Sequence, residues 1–237
     1  MFPDDCIQYL TDSWWEEKRP PRRERWRLVR AYTRHVTSAP YEVTLEGRKE
    51  ARDHSGADFT IGAFRADPRR PVTPLPVAGI PVYPGERLTL NKGKVRPALI
   101  IATPGTIIEQ KVRAGFPKGH YVPTFLVAPF YTAKSTGSQG GFSREFVRRV
   151  KCCEYTQCFW DMLPLTDEHP GSILRFDQLQ AVEPDICSLQ STEWILSEEA
   201  QVILHEMLLR HLSQNELDPS GFAIQAVEEI RNRPDIP

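Results

Sequence analysis

Arg96, Arg175 and Asp177 are the residues of this chain whose types and settings best suit work on a phosphate. Arg96 stands in Lys94–Val95–Arg96–Pro97–Ala98–Leu99–Ile100–Ile101–Ala102, where charge gives way to a branched apolar run that reads as a buried strand. Pro97 has no N–H to give to a ladder, so it belongs near the strand's start. Arg96 then lies at the strand's mouth with a planar fork of five donors, a geometry suited to phosphate. Arg175 and Asp177 lie two apart in Ser172–Glu183 (SILRFDQLQAVE). As a strand, this segment puts Arg175, Asp177 and Leu179 on one face and Leu174, Phe176 and Gln178 on the other. Taken singly, an edge arginine and a same-face ion pair are ordinary features worth under ~1 kcal/mol.

The elements that must position these residues are β-rich. Asn91-Lys92-Gly93 is a turn signal before the Arg96 strand, and Glu86–Leu90 before it is short and alternating. Thr124–Thr132 (TFLVAPFYT) is a second apolar strand, and Phe142–Leu165 mixes aromatic and β-branched residues without helical periodicity, compatible with strands. Residues 103–123 form a long connection with order expected at Thr106–Val112, and Ala133–Gly141 is a loop of small residues. Ser197 caps a helix with Glu198 and Glu199 in its first turn. Ala200, Ile203, Leu204, Met207, Leu208 and Leu212 give that helix its apolar stripe. Asp218-Pro219-Ser220-Gly221 breaks the chain before a last short helix near Phe222–Arg231.

The first 80 residues have a different texture. Residues 1–40 read as largely helical, with Trp26, Val29, Thr33 and Val36 on one stripe. Lys18, Arg19, Arg22, Arg23, Arg25, Arg27, Arg30 and Arg34 surround it, opposed only by Glu24. Basic residues interleaved with aromatics suit single-stranded nucleic acid, although a solvated basic helix face has the same composition. A strand is expected at Asp58–Phe64. Six prolines between Pro68 and Pro84 then exclude a helix or a central strand and mark a linker. The division expected is 1–80 as an N-terminal extension and 81–237 as the main domain.

Charge is unevenly spread: residues 1–160 carry a net +10 and residues 161–237 a net −11. A polyanion-facing part and an acidic part follow from that split. No apolar run approaches the ~18 residues of a membrane span, and the acidic start has no apolar signal core, so a cytoplasmic protein is expected. Five cysteines without framework spacing fit reduced thiols. Cys152, Cys153 and Cys158, with His169 or Cys187, lack the paired spacing of a zinc site, so neither metal nor other cofactor is expected.

KVRPALIIATP, FLVAPFYT and GSILRFDQLQAVE, followed by an amphipathic helix, stand in an order that resembles the MazF/PemK family of toxin endoribonucleases. The Arg175-Phe176-Asp177-Gln178 stretch matches the R-x-D-Q pattern of the PemK branch. The resemblance covers roughly residues 81–212. It implies an α+β protein built on the SH3-like β-barrel of MazF, PemK and the gyrase poison CcdB, with a C-terminal helix. The chain departs from the pattern at Pro129-Phe130-Tyr131-Thr132, which holds one residue more than the family's segment before its threonine. A one-residue slip turns a side chain to the opposite face, so a bulge restores Thr132, or Tyr131 takes its place, or the site is impaired.

The resemblance implies metal-independent cleavage of single-stranded RNA by 2′-OH attack on the adjacent phosphate. Asp177 is then the candidate base, Arg175 the acid or phosphate clamp, Arg96 the stabiliser of the phosphorane, and Thr132 a donor to a phosphate oxygen. Charge stabilisation suits arginine better than acid work, because its pKa exceeds 12. His120 and His169 are alternative acid–base groups. Arg25, Arg27, Arg30, Arg148 and Arg149 are the candidate RNA contacts. A homodimer and a small antitoxin protein are the implied partners, with no membrane. The competing expectations are a non-catalytic SH3-like barrel that binds RNA or protein, and a CcdB-like topoisomerase inhibitor.

Overall fold

The computed structural model describes residues 6–36, 38–48, 50, 52–53, 56–65, 86–106, 108–112, 124–133, 141–165, 171–183 and 188–213, with isolated positions 221, 225 and 228. The early strands are β1 (Trp15–Glu17), β2 (Arg27–Arg34), β3 (Tyr41–Gly47), β4 (Asp58–Ala63) and β5 (Leu88–Leu90). There follow β6 (Gly93–Ala102), β7 (Phe125–Thr132), helix α1 (Arg144–Lys151) and β8 (Cys158–Met162). The chain continues with β9 (Gly171–Arg175), a 3₁₀ turn at Phe176–Gln178, β10 (Gln180–Val182), β11 (Leu189–Leu196) and helix α2 (Glu198–Ser213).

Two units divide the chain: Met1–Thr33 with Val95–Pro237, and Arg34–Lys94 between them in sequence. β1 and β2, which fall within the expected extension of residues 1–80, are strands of the larger unit's sheet. The expected boundary at residues 80–81 lies outside the described residues. In the larger unit the order is β1-β11-β2-β6-β7-β9-β8, with β10 also on β7. The pairings β1–β11, β11–β2, β6–β7, β7–β9, β7–β10 and β8–β9 are antiparallel. The architecture is therefore α+β, mostly antiparallel sheet with a C-terminal helix, as the sequence implied.

β2 is a strand where a helix was expected. Val29, Ala31 and Thr33 are buried while Arg30, Tyr32 and Arg34 are exposed, a period of two that β-branched residues favour. Trp26, Val29 and Thr33 satisfied a helical spacing by coincidence, and Val36 is exposed. Neighbours on both sides, β11 and β6, decide the matter. Conversely, part of 142–165 is helical. Ser143 Oγ accepts from the Phe146 N–H at 3.2 Å, and Glu145 opens a helix closed by Arg148, Arg149 and Lys151. This is a cap and dipole pattern that the aromatic content concealed.

The apolar run of β6 is buried on both faces, as a continuous run should be. Leu99 and Ile101 join Leu28, Ala128, Phe130, Leu174 and Phe176 beneath Ala200, Ile203, Leu204, Met207 and Leu208 of α2. Ala98 and Ile100 point the other way, into a cluster with Val29, Ala31, Phe125, Val127 and Val182. Ser197 Oγ accepts from the Ala200 N–H at 3.2 Å, the expected cap of α2. Leu212, expected in the helix's buried stripe, is exposed.

The expected third strand, Ser172–Glu183, is interrupted. Phe130 pairs with Leu174 and Val127 with Gln180, so residues 175–179 stand opposite only Ala128 and Pro129. The surplus is one 3₁₀ turn. Pro129 has no N–H for a ladder, and it lies at the level where the partner strand leaves the pairing.

In the smaller unit, β3 is flanked by β4 and β5, each antiparallel to it. β4 matches the expected Asp58–Phe64. Its register puts Tyr41, Val43, Leu45, Phe59, Ile61, Leu88 and Leu90 on one face. Glu42, on the other, pairs with Arg87 at 2.7 Å.

Candidate functional site

Arg96 and Tyr131 meet because of register. Ala98 pairs with Pro129, and two residues further along each antiparallel strand stand Arg96 and Tyr131, on the same face. The Arg96 guanidinium carbon lies 4.4 Å from the Tyr131 ring centroid, a cation–π contact worth ~0.5–2 kcal/mol according to its desolvation. Pro97 is the fifth of the ten residues of β6, deeper in the strand than the expected place near its start.

From Tyr131 the contacts cross to the other side of β7. The Tyr131 hydroxyl donates a short hydrogen bond to Gln178 Oε1, and Gln178 is buried in the 3₁₀ turn. In the same turn Asp177 receives two hydrogen bonds from Arg175, Nε to Oδ1 at 2.7 Å and Nη2 to Oδ2 at 2.5 Å. The expected juxtaposition of Arg175 and Asp177 therefore holds, made by a turn rather than by alternation along a strand. The pair is accessible, with 20% of the Arg175 side chain and 33% of that of Asp177 exposed. The Asp177 hydrogen bond pushes the guanidinium's pKa upward, against burial.

A side-on pair through Nε and Nη2 leaves the end of the Arg175 fork, Nη1 with Nη2, facing away from the carboxylate. Cys158 pairs with Arg175 across β8 and β9, but burial pushes its thiol up to about 11 despite the nearby cation. A thiol in that state is no nucleophile at neutral pH.

Thr132 is not brought to this cluster. The register Phe130–Leu174, Tyr131–Ile173 and Thr132–Ser172 is continuous, so no bulge restores it and strand alternation turns it to the face opposite Tyr131. Tyr131 occupies the place in the cluster. His120 and His169 lie outside the described residues.

The basic run 18–34 is mostly consumed internally. Lys18 pairs with Glu24 at 3.3 Å, and Arg19 with Glu17 and Glu193 at 2.7 Å each. Arg25 stacks on Trp26 at 4.5 Å and lies 3.0 Å from His205 Nδ1. Arg27 is a structural residue, which removes it from the expected RNA contacts. Fully buried, it donates to the carbonyls of Lys18 and Glu193 at 3.0 Å each and pairs with Glu24. Arg30 stays exposed on β2. Arg148 and Arg149 share Glu145 at 3.0 and 2.8 Å, which holds that carboxyl at about 2 through hydrogen bonds from Arg148 first and then Arg149.

Asp161 gave no sequence signal. Its buried carboxylate accepts from Gln8 Nε2 at 2.8 Å, Trp15 Nε1 at 3.0 Å and Trp14 Nε1 at 3.2 Å. Burial outweighs these bonds and pushes its pKa up to about 6. Gln178 was missed as a site residue, and Tyr131 was weighed only as a replacement for Thr132. Their signal was parity: once Ala98 pairs with Pro129, Tyr131 must face Arg96.

Cys6, Cys152, Cys153 and Cys158 are buried thiols, and among the described residues no three His, Cys, Asp or Glu side chains gather as a metal site. Cys187 lies outside the described residues. Nor, among the described residues, is any helix long and apolar enough to cross a membrane.

A scan of protein-family models, a search of curated proteins and a search of solved structures each found no match to this chain.

Proposed function

We propose that this chain is a metal-independent endoribonuclease of the MazF/PemK type, with an SH3-like barrel as its core. The observation that carries the reading is the run of contacts from Arg96 to the Tyr131 ring and from the Tyr131 hydroxyl to Gln178, in the turn that holds the Arg175–Asp177 pair. Two arginines beside a carboxylate supply what in-line attack by a ribose 2′-OH needs. Asp177, accessible beside Arg175, takes the 2′-OH proton, a role worth ~10²–10⁴-fold. Arg175 holds a phosphate oxygen with the end of its fork and Arg96 stabilises the phosphorane, each charged donor worth ~3 kcal/mol on developing oxyanion charge. As the 2′-O–P bond forms the P–O5′ bond breaks, and the departing 5′-oxygen takes its proton from water, leaving a 2′,3′-cyclic phosphate and a 5′-hydroxyl. By the same reading the protein is cytoplasmic, acts as a homodimer and is neutralised by a small antitoxin.

The position of Thr132 favours a second reading, a barrel of the same type that binds RNA without cutting it. Substrate chemistry separates the two. The nuclease cuts an RNA chain and leaves its 2′-deoxy counterpart intact, with 5′-hydroxyl ends on every fragment. Salt-sensitive retention of both chains with no scission would instead identify a binding module.

A further inference from the structure

We infer that Tyr131 is the positioning residue of this site: anchored by Gln178, its ring sets where the Arg96 guanidinium stands relative to the Arg175–Asp177 pair. Three observations meet here. Arg96 projects from β6, Tyr131 from β7 and Gln178 from the turn after β9, so the contacts span three neighbouring segments of one sheet. The Tyr131 hydroxyl donates to Gln178, and Gln178 is 5% exposed, so the bond is shielded from competing water. Finally, Gln178 follows Asp177 directly in the 3₁₀ turn, so the residue that fixes the ring belongs to the same rigid segment as the candidate base.

A long arginine side chain on a strand samples many rotamers, and a phosphate clamp needs one. A ring face holds the cation without consuming its in-plane N–H groups. A ring alone still turns about its own torsions; the hydroxyl bond to a buried amide removes that freedom. This gives a physical reason for tyrosine at the position where strand parity excludes Thr132 from the cluster. What the site acts on rests on the endoribonuclease reading, whereas the brace itself does not.

The test uses the full chain labelled at the arginine side chains, followed by the Nε–H resonances. In the wild type the Tyr131 ring current shifts the Arg96 signal, and Tyr131→Leu abolishes that shift. Gln178→Leu should move the Arg96 signal toward the Tyr131→Leu position, while the Arg148 signal, fixed by Glu145, stays and reports an intact fold. Tyr131→Phe, which keeps the ring and removes the hydroxyl, should do the same and decides the matter if Gln178→Leu fails to fold. On RNA, Tyr131→Phe and Gln178→Leu should each lower kcat roughly tenfold with KM nearly unchanged, and the double variant should be no worse than either. An Arg96 signal unmoved in folded Gln178→Leu and Tyr131→Phe overturns the inference, as do losses in kcat that multiply in the double variant. A wild type that cuts no RNA overturns the functional reading alone, because the resonances still decide the brace.

Discussion

The guanidinium of Arg96 lies over the ring of Tyr131, 4.4 Å from its centroid, and that contact, with the hydrogen bond from Tyr131 to Gln178, links β6 to the Arg175–Asp177 turn. It comes from register rather than from sequence proximity, since 35 positions separate the two residues in the chain.

Arg175 binds Asp177 through a planar two-bond edge, which lysine cannot reproduce. Arg175→Lys should therefore keep the charge yet lower RNA cleavage by ~10²-fold or more. Circular dichroism should stay unchanged, because the pair is partly exposed and its contribution to stability is small. Cleavage within twofold of wild type would show that charge alone suffices.

Asp161 predicts an unusual pH dependence. Its folded value is pushed up to about 6 from 3.8, mainly by burial, so the folded state binds the proton more tightly than the unfolded chain. Stability from this group is fully present below about pH 4 and falls as pH rises toward 6. The difference is on the order of 3 kcal/mol across the window. Urea midpoints should rise between pH 7 and pH 5 in the wild type, and Asp161→Asn should flatten that rise. Glu145, held at about 2, acts oppositely, losing stability as pH falls from its unfolded value toward 2.

A side chain at Gly171 has no room. A Cβ there would stand 1.9 Å from the Trp160 ring, so Gly171→Ala must displace a buried indole. A loss of ~1–3 kcal/mol, read as a lower urea midpoint with altered tryptophan emission, is expected. An unchanged midpoint would mean the ring has space to move.

Arg27 and Arg30 lie three residues apart with opposite roles. Arg27→Ala strips partners from the Lys18 and Glu193 carbonyls and from Glu24, costing ~3–5 kcal/mol. Arg30→Ala, at an exposed position, should change stability by no more than about 0.5 kcal/mol and reduce the salt slope of RNA binding by about one. Equal stability of the two variants would contradict the assignment.

Much of this fold was legible where local pattern and tertiary context agree. The runs of β6 and β7 are apolar on both faces and read directly as buried strands; Ser197 and the glutamates after it read directly as a helix start. β2 misled because Val29 and Thr33 fit a period of 3.6 as well as one of 2, with Trp26 at helical spacing before them, and only pairing with β6 and β11 chooses between the two. Arg27 looked like a surface cation because no local signal marks which arginine of a basic run turns inward. Arg96, Arg175 and Asp177 could be found from residue type and setting. Tyr131 and Gln178 required the register of β6 on β7 and the extra turn opposite Pro129, which are facts of pairing that no single segment contains.

The most direct test of the central claim is to incubate the purified protein with a long single-stranded RNA in excess chelator, beside Arg96→Ala and Asp177→Ala. Discrete fragments with 5′-hydroxyl ends from the wild type, and intact RNA from both folded variants, are the predicted result. Intact RNA in every lane, or equal cleavage by all three proteins, would contradict the assignment of an RNA-cleaving site to these residues.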